Sequence, residues 1–211
     1  MTGALMTGAL MTGAIDACDA AATEPPTRQS AVRYRDGVIV SLAVSTTIRR
    51  RNLAELEIGR HILVSENTIR LLLEDLVKNH EVVDVPLAET VAACLRVYLT
   101  RYRPLLLADD DACRALWISH EEGPLDDAAF YNIFDRMGRR LVGRPISVHA
   151  TRHALATGIM DENPADIELA SAALAHRGTS SVNRTYDRSD GGSANRVWQR
   201  LLRQQMQTKA R

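Results

Sequence analysis

His149-Ala-Thr-Arg152-His153 is the stretch on which the reading of this chain turns; Leu174-Ala-His176 and Tyr186 follow it closely. Ser147 is placed to cap a helix here, which sets His149, Arg152 and His153 at i, i+3 and i+4 on one face. Arginine among imidazoles, with a phenol downstream, suits the breaking of a phosphodiester without a metal. Guanidiniums hold non-bridging oxygens, a tyrosine attacks phosphorus, and an acid protonates the departing sugar oxygen.

Two upstream residues complete that set, Arg49 and Lys78. Of the 26 cations only two are lysines, Lys78 and Lys209, and Lys209 lies in the last three residues. Arginine is effectively never deprotonated, whereas lysine can give up a proton. A lysine retained at position 78 therefore suits a general acid. Arg49 and Arg152 would clamp the phosphorane, His149 and His176 would donate to the same oxygens or handle the tyrosine proton, and Tyr186 would attack. His153, beside Arg152, reads as a buried histidine that orients the helix.

Bulk properties set the frame. A chain of 211 residues has room for one well-buried domain. Without a run of 18 apolar residues, it reads as having no membrane span. Cys18, Cys94 and Cys113 form no C-x-x-C pair and an odd count, which fits a reducing cytoplasm. The net charge of zero is an average over unlike parts. Residues 139–211 hold 12 cations and 6 anions, while residues 31–138 hold 13 and 17. The basic part is the part with the suspected site, as phosphate binding requires.

Working outward, residues 1–15 are three near-copies of a pentapeptide, MTGAL, MTGAL and MTGAI. A five-residue period offers no stripe to bury, and Pro25-Pro26 resembles a linker, so residues 1–30 are expected to be disordered. The apolar run from Arg35 to Ser45 predicts a buried helix that delivers Arg49, with a buried strand as the competing reading. His61–Val64, Thr68–Leu73 and Glu81–Leu87 read as three strands, with Lys78 in the second connection. Apolar positions from Val91 to Tyr102, and from Phe130 to Leu141, recur at threes and fours and predict two amphipathic helices. Asp126 or Asp127 would cap the second. Gly191-Gly192 precedes a last helix with Val197, Trp198, Leu201 and Leu202. His61, His80 and His120 are expected at the surface, and Arg50 and Arg51 as a solvated or phosphate-touching run.

Residues 33–188 resemble the catalytic domain of the tyrosine recombinase, or phage integrase, family. The family's first arginine stands in a segment like T-G-L-R-x-x-E-L; here it is Arg49 in Thr47-Ile-Arg49-Arg-Arg-Asn-Leu53. Its lysine lies on a β-hairpin eight residues before the proline of V-P-L, as Lys78 does before Val85-Pro86-Leu87. H-x-x-R-H stands as His149–His153, L-G-H as Leu174-Ala-His176, and the nucleophile as Tyr186. Five elements in order at these intervals are far more specific than any one. Asn52 in place of glutamate and Ala175 in place of glycine depart from the pattern.

The resemblance implies a mixed, mainly helical domain with a small three-stranded antiparallel sheet, covering residues 31–211. It implies site-specific DNA recombination or integration through a 3′-phosphotyrosyl intermediate, with no cofactor and no metal. The partners it implies are double-stranded DNA and further recombinase protomers, the latter through the C-terminal helix. The family's N-terminal core-binding domain is expected to be absent. That expectation keeps open a truncated mobile-element remnant that binds DNA or a partner integrase and recombines nothing. A type IB topoisomerase-like enzyme shares the chemistry. A zinc site from His149, His153 and His176 is disfavoured, because the intervening arginine repels a cation.

Overall fold

Helix α2 (Arg28–Thr46) is the axis around which the other elements are packed. Val38, Ile39, Val40, Leu42, Ala43 and Val44 are all buried, as befits a helix that is apolar on every side. Its buried hydroxyls turn back onto the helix: Ser41 Oγ donates to the Val38 carbonyl at 3.0 Å and Ser45 Oγ to that of Leu42 at 3.0 Å. The helix reading of this run holds over the strand. The computed structural model describes residues 3–46, 48–73, 83–108, 112–154 and 199–200.

The expected disorder of residues 1–30 is not what the structure has. Gly3–Ala22 forms helix α1, and Arg28 already opens α2. The five-residue period hides a stripe that runs across the copies. Met6, Thr7, Leu10, Met11, Ala14, Ala17, Cys18 and Ala21 recur at threes and fours and are buried. Small residues let α1 approach closely: a Cβ on Gly37 would sit 2.6 Å from Cys18 Sγ and 2.7 Å from the Ala14 carbonyl. The connection between the helices is held by Ser30, whose hydroxyl donates to the Pro25 carbonyl at 2.9 Å.

Strands β1 (Ile62–Val64), β2 (Ile69–Leu73) and β3 (Val83–Pro86) form one antiparallel sheet in that order. Ile62 pairs with Leu71, and Leu71 with Val85. Ile69, Leu71 and Leu73 alternate into the core, the period-two signature of a strand. All three strands lie where the sequence reading set them. Residues 74–82, which include Lys78 and His80, lie outside the described residues. His61 is a correction: expected at the surface, it is 2% exposed. The turn through Gly59 (φ 80°) folds its ring over the preceding backbone, where Nδ1 accepts the Glu57 N–H at 3.0 Å. His120 is exposed, as expected.

Helix α4 (Glu89–Val97) continues into one wide π-helical turn, Tyr98–Tyr102, and a tight turn at Pro104. Tyr102 stacks on Tyr34 of α2 with centroids 4.2 Å apart, and Tyr98 lies against Trp117 at 5.7 Å. Helix α5 (Asp127–Val142) buries Phe130, Ile133, Phe134 and Met137. Its cap is Asp126, which accepts the Ala129 N–H at 2.7 Å. The whole is the mainly helical architecture with a small three-stranded antiparallel sheet that the sequence implied. All three cysteines are free. No helix among the described residues is long and apolar enough to cross a membrane.

Candidate active site

Arg49 stands in extended backbone (φ −69°, ψ 148°) between the end of α2 and helix α3 (Arg50–Ala54). Three ties fix that short helix. Trp117 Nε1 donates to the Leu53 carbonyl at 2.8 Å, and the Leu116 N–H to that of Leu56 at 2.8 Å. Arg50 Nη1 meets Asp127 Oδ2, at the start of α5, at 2.7 Å. Arg50 and Arg51, expected as a solvated or phosphate-touching run, are both exposed and ion-paired, Arg51 with Glu55, and Arg50 also borders the cleft.

The other wall is set by the way α5 ends. Gly143, at φ 74°, stops the helix in the left-handed region where glycine carries no Cβ penalty. Gly138 lets the following segment fold tightly back, since a Cβ there would lie 2.5 Å from Ile146 Cγ1 and 2.7 Å from the Arg144 carbonyl. A new helical segment, 148–154, then begins at a fixed point. Ser147 caps it as expected, its hydroxyl accepting the Ala150 N–H at 3.1 Å.

Arg49, Arg50, Tyr131, Ser147, Val148, His149 and Arg152 line one cleft of about 280 Å³. Arg49 and Arg152 are thus brought together from segments about a hundred residues apart. Arg152 is only 7% exposed. Burial, and then the nearby Arg49 charge, push its guanidinium from the ordinary 12.5 down to about 10. It is still protonated at neutral pH, so Arg49 and Arg152 set two cations close together, with Arg50 beside them paired to Asp127. Burial and the neighbouring charge both work against the cationic form, and an anion placed between the two guanidiniums would offset both.

His149 is exposed at the mouth of this cleft. Its Nε2 lies 2.9 Å from Nε2 of His153, with the rings edge to face and their centroids 4.4 Å apart. His153 is exposed, contrary to its expected burial. At i+4 from His149 it shares that residue's solvent face, whereas Arg152 one position earlier turns inward. Among the described residues no three side chains of the metal-binding kind are grouped.

Lys78, His176 and Tyr186, and Val197, Trp198, Leu201 and Leu202 of the expected last helix, lie outside the described residues. Of the expected site, the structure brings together Arg49, His149 and Arg152, with His153 on the outer side of His149. Sequence reasoning missed Tyr131, which is 60% exposed and lines the same cleft. Its signal was legible: an aromatic one position off the buried stripe of Phe130, Ile133, Phe134 and Met137.

A model of the phage integrase family matches residues 15–191. Tyrosine recombinase XerD of Chlamydia pneumoniae is 25% identical over 162 residues, or 77% of this chain and 51% of the relative. Tyrosine recombinase XerC of Mycobacterium sp. (strain KMS) is 30% identical over 162 residues, 76% of this chain and 51% of the relative. The chain therefore spans about half the length of the curated relatives it matches. Among solved structures, XerH site-specific recombinase bound to difH substrate in a pre-cleavage complex aligns with a TM-score of 0.58 and 17% identity. That alignment covers 89% of this chain and 47% of the other. XerA recombinase aligns at 0.55 and 19% identity, covering 95% and 63%. At such identities the two structures speak for the fold alone.

Proposed function

Because the chain belongs to the phage integrase family, we propose that it cleaves and rejoins double-stranded DNA at specific sites, without a metal, through a 3′-phosphotyrosyl intermediate on Tyr186. Arg49 and Arg152 hold the non-bridging oxygens of the scissile phosphate. Their bidentate donors meet the extra charge of the phosphorane, and one such donor is worth roughly 3–4 kcal/mol in the transition state. His149 and His176 donate to the same oxygens or take the Tyr186 proton. Lys78 protonates the 5′ oxygen as it leaves. The phosphotyrosine bond conserves the energy needed for rejoining, so no nucleotide cofactor is consumed.

The observation that carries this reading is the arginine-lined cleft, with Arg152 buried beside Arg49 and its pKa pushed down. Guanidiniums side by side in a cleft offer the planar, bidentate donors that suit a phosphate. Further protomers, joined through the C-terminal helix, belong to the same proposal, as does a reducing cytoplasm for the three free thiols.

The test is covalent trapping on a pool of nicked suicide duplexes, followed by sequencing of the protein-linked ends. The wild-type chain should give an adduct at defined sequences. Tyr186→Phe should give none while binding the same duplexes. Lys78→Ala should cleave ordinary DNA slowly and be rescued by a 5′-bridging thiolate, a leaving group that needs no acid. Binding without any adduct from the wild type would reject the enzymatic reading.

A further inference from the structure

We propose that His149 and His153 together form a chelating site for a late transition-metal divalent ion of the nickel or copper kind, and that its occupation takes His149 away from the phosphate. The second half rests on the function proposed above; the first does not.

The geometry argues for the site. The two Nε2 atoms already lie 2.9 Å apart, on exposed rings one helical turn apart. Metal–imidazole bonds are about 2.05 Å long, so cis positions of a square or octahedral ion hold their nitrogens about 2.9 Å apart. Tetrahedral zinc needs about 3.35 Å at the same bond length. The pair is therefore spaced for the cis edge of a tetragonal ion and is too narrow for an undistorted tetrahedron. Among the described residues no third histidine, cysteine or carboxylate joins the pair.

Repulsion by the neighbouring guanidiniums is the obvious objection. Arg152, however, is turned inward and 7% exposed, whereas both imidazoles face solvent. An ion held by the two solvent-facing rings is screened from the buried guanidinium by water. Proton bookkeeping is neutral. In the hydrogen-bonded pair one ring carries its proton on Nε2; on ligation that proton is relocated to Nδ1, and both rings bind as neutral Nε2 donors. His149 then has its Nε2 lone pair on the metal and cannot present that nitrogen to a phosphate oxygen.

Nickel titration of the full chain, followed by calorimetry, tests the site, Ni²⁺ being chosen because it does not oxidise thiols. The wild type should take up one Ni²⁺, and His153→Ala and His149→Ala should each weaken it at least tenfold, while His120→Ala leaves it unchanged. Equal affinity in all four proteins would overturn the site. In parallel, Ni²⁺ should suppress covalent trapping by the wild type at the concentration that fills the site, and a chelator should restore it. Trapping that proceeds unchanged at full occupancy would overturn the inhibitory role. A wild type that never traps DNA would count against the proposed function alone, because calorimetry still decides the site.

Discussion

Two of the three arginines buried among the described residues, Arg35 and Arg152, sit in contrasting surroundings. Arg35, in α2, is 4% exposed and fully matched: Nη1 donates to the Ile118 carbonyl at 2.6 Å, and Nη2 and Nε reach Asp36 Oδ1 at 2.8 and 3.1 Å. Asp36 is shared with Arg136. Arg152, nearly as buried, has as its charged neighbour another cation, Arg49, and its pKa is pushed down to about 10. One guanidinium is locked to the adjacent carboxylate; the other lies in a cleft beside a second guanidinium.

That contrast is open to direct attack. The largest expected effect is on the frame: Arg35→Met should cost about 3–5 kcal/mol in urea unfolding, because it strips one partner from a buried carboxylate. Cleavage per folded molecule should stay close to wild type. Arg152→Ala should do the reverse. Single-turnover cleavage should fall by a factor of about 10²–10³, the usual cost of one transition-state donor, with a stability loss well below that of Arg35→Met. Similar stability losses from the two would erase the distinction.

Smaller effects sharpen it. Gly37→Ala forces a Cβ to within 2.6 Å of Cys18 Sγ and 2.7 Å of the Ala14 carbonyl. About 1–3 kcal/mol of stability should go, the ordinary cost of overpacking. An unchanged urea midpoint would mean that α1 is not docked as described. The smallest effect is ligand-driven. Inorganic phosphate at ten times its dissociation constant should stabilise the wild type by about 1.4 kcal/mol, a rise in Tm of roughly 3–5 °C. Arg152→Ala and Arg49→Ala should lose that increment, while Arg35→Lys keeps it.

Much of this fold was legible in the sequence wherever one period dominated. The strands around Ile62, Ile69 and Val85, the stripe of Phe130 to Met137 and the Ser147 cap all follow from short-range patterns. Helix α1 did not, because the pentapeptide repeat masks a stripe that emerges only when residues 6 to 21 are read continuously. His61 and His153 were misplaced for a related reason: burial of a single histidine depends on the turn or helix face it falls on, which residue type alone does not give. Of the site, spacing pointed to Arg49, His149 and Arg152, but the mutual repulsion of the guanidiniums and the presence of Tyr131 belong to tertiary packing.

Tyr131 also supplies the sharpest check on the account, since it is a phenol other than Tyr186 and lies in the cleft itself. The covalent complex formed on a suicide duplex should be digested with protease and nuclease, and the nucleotide-bearing peptide sequenced by mass spectrometry. The 3′-phosphate should be found on Tyr186, and Tyr131→Phe should still form the adduct. A phosphate carried by Tyr131, or an adduct that survives in Tyr186→Phe, would contradict the account.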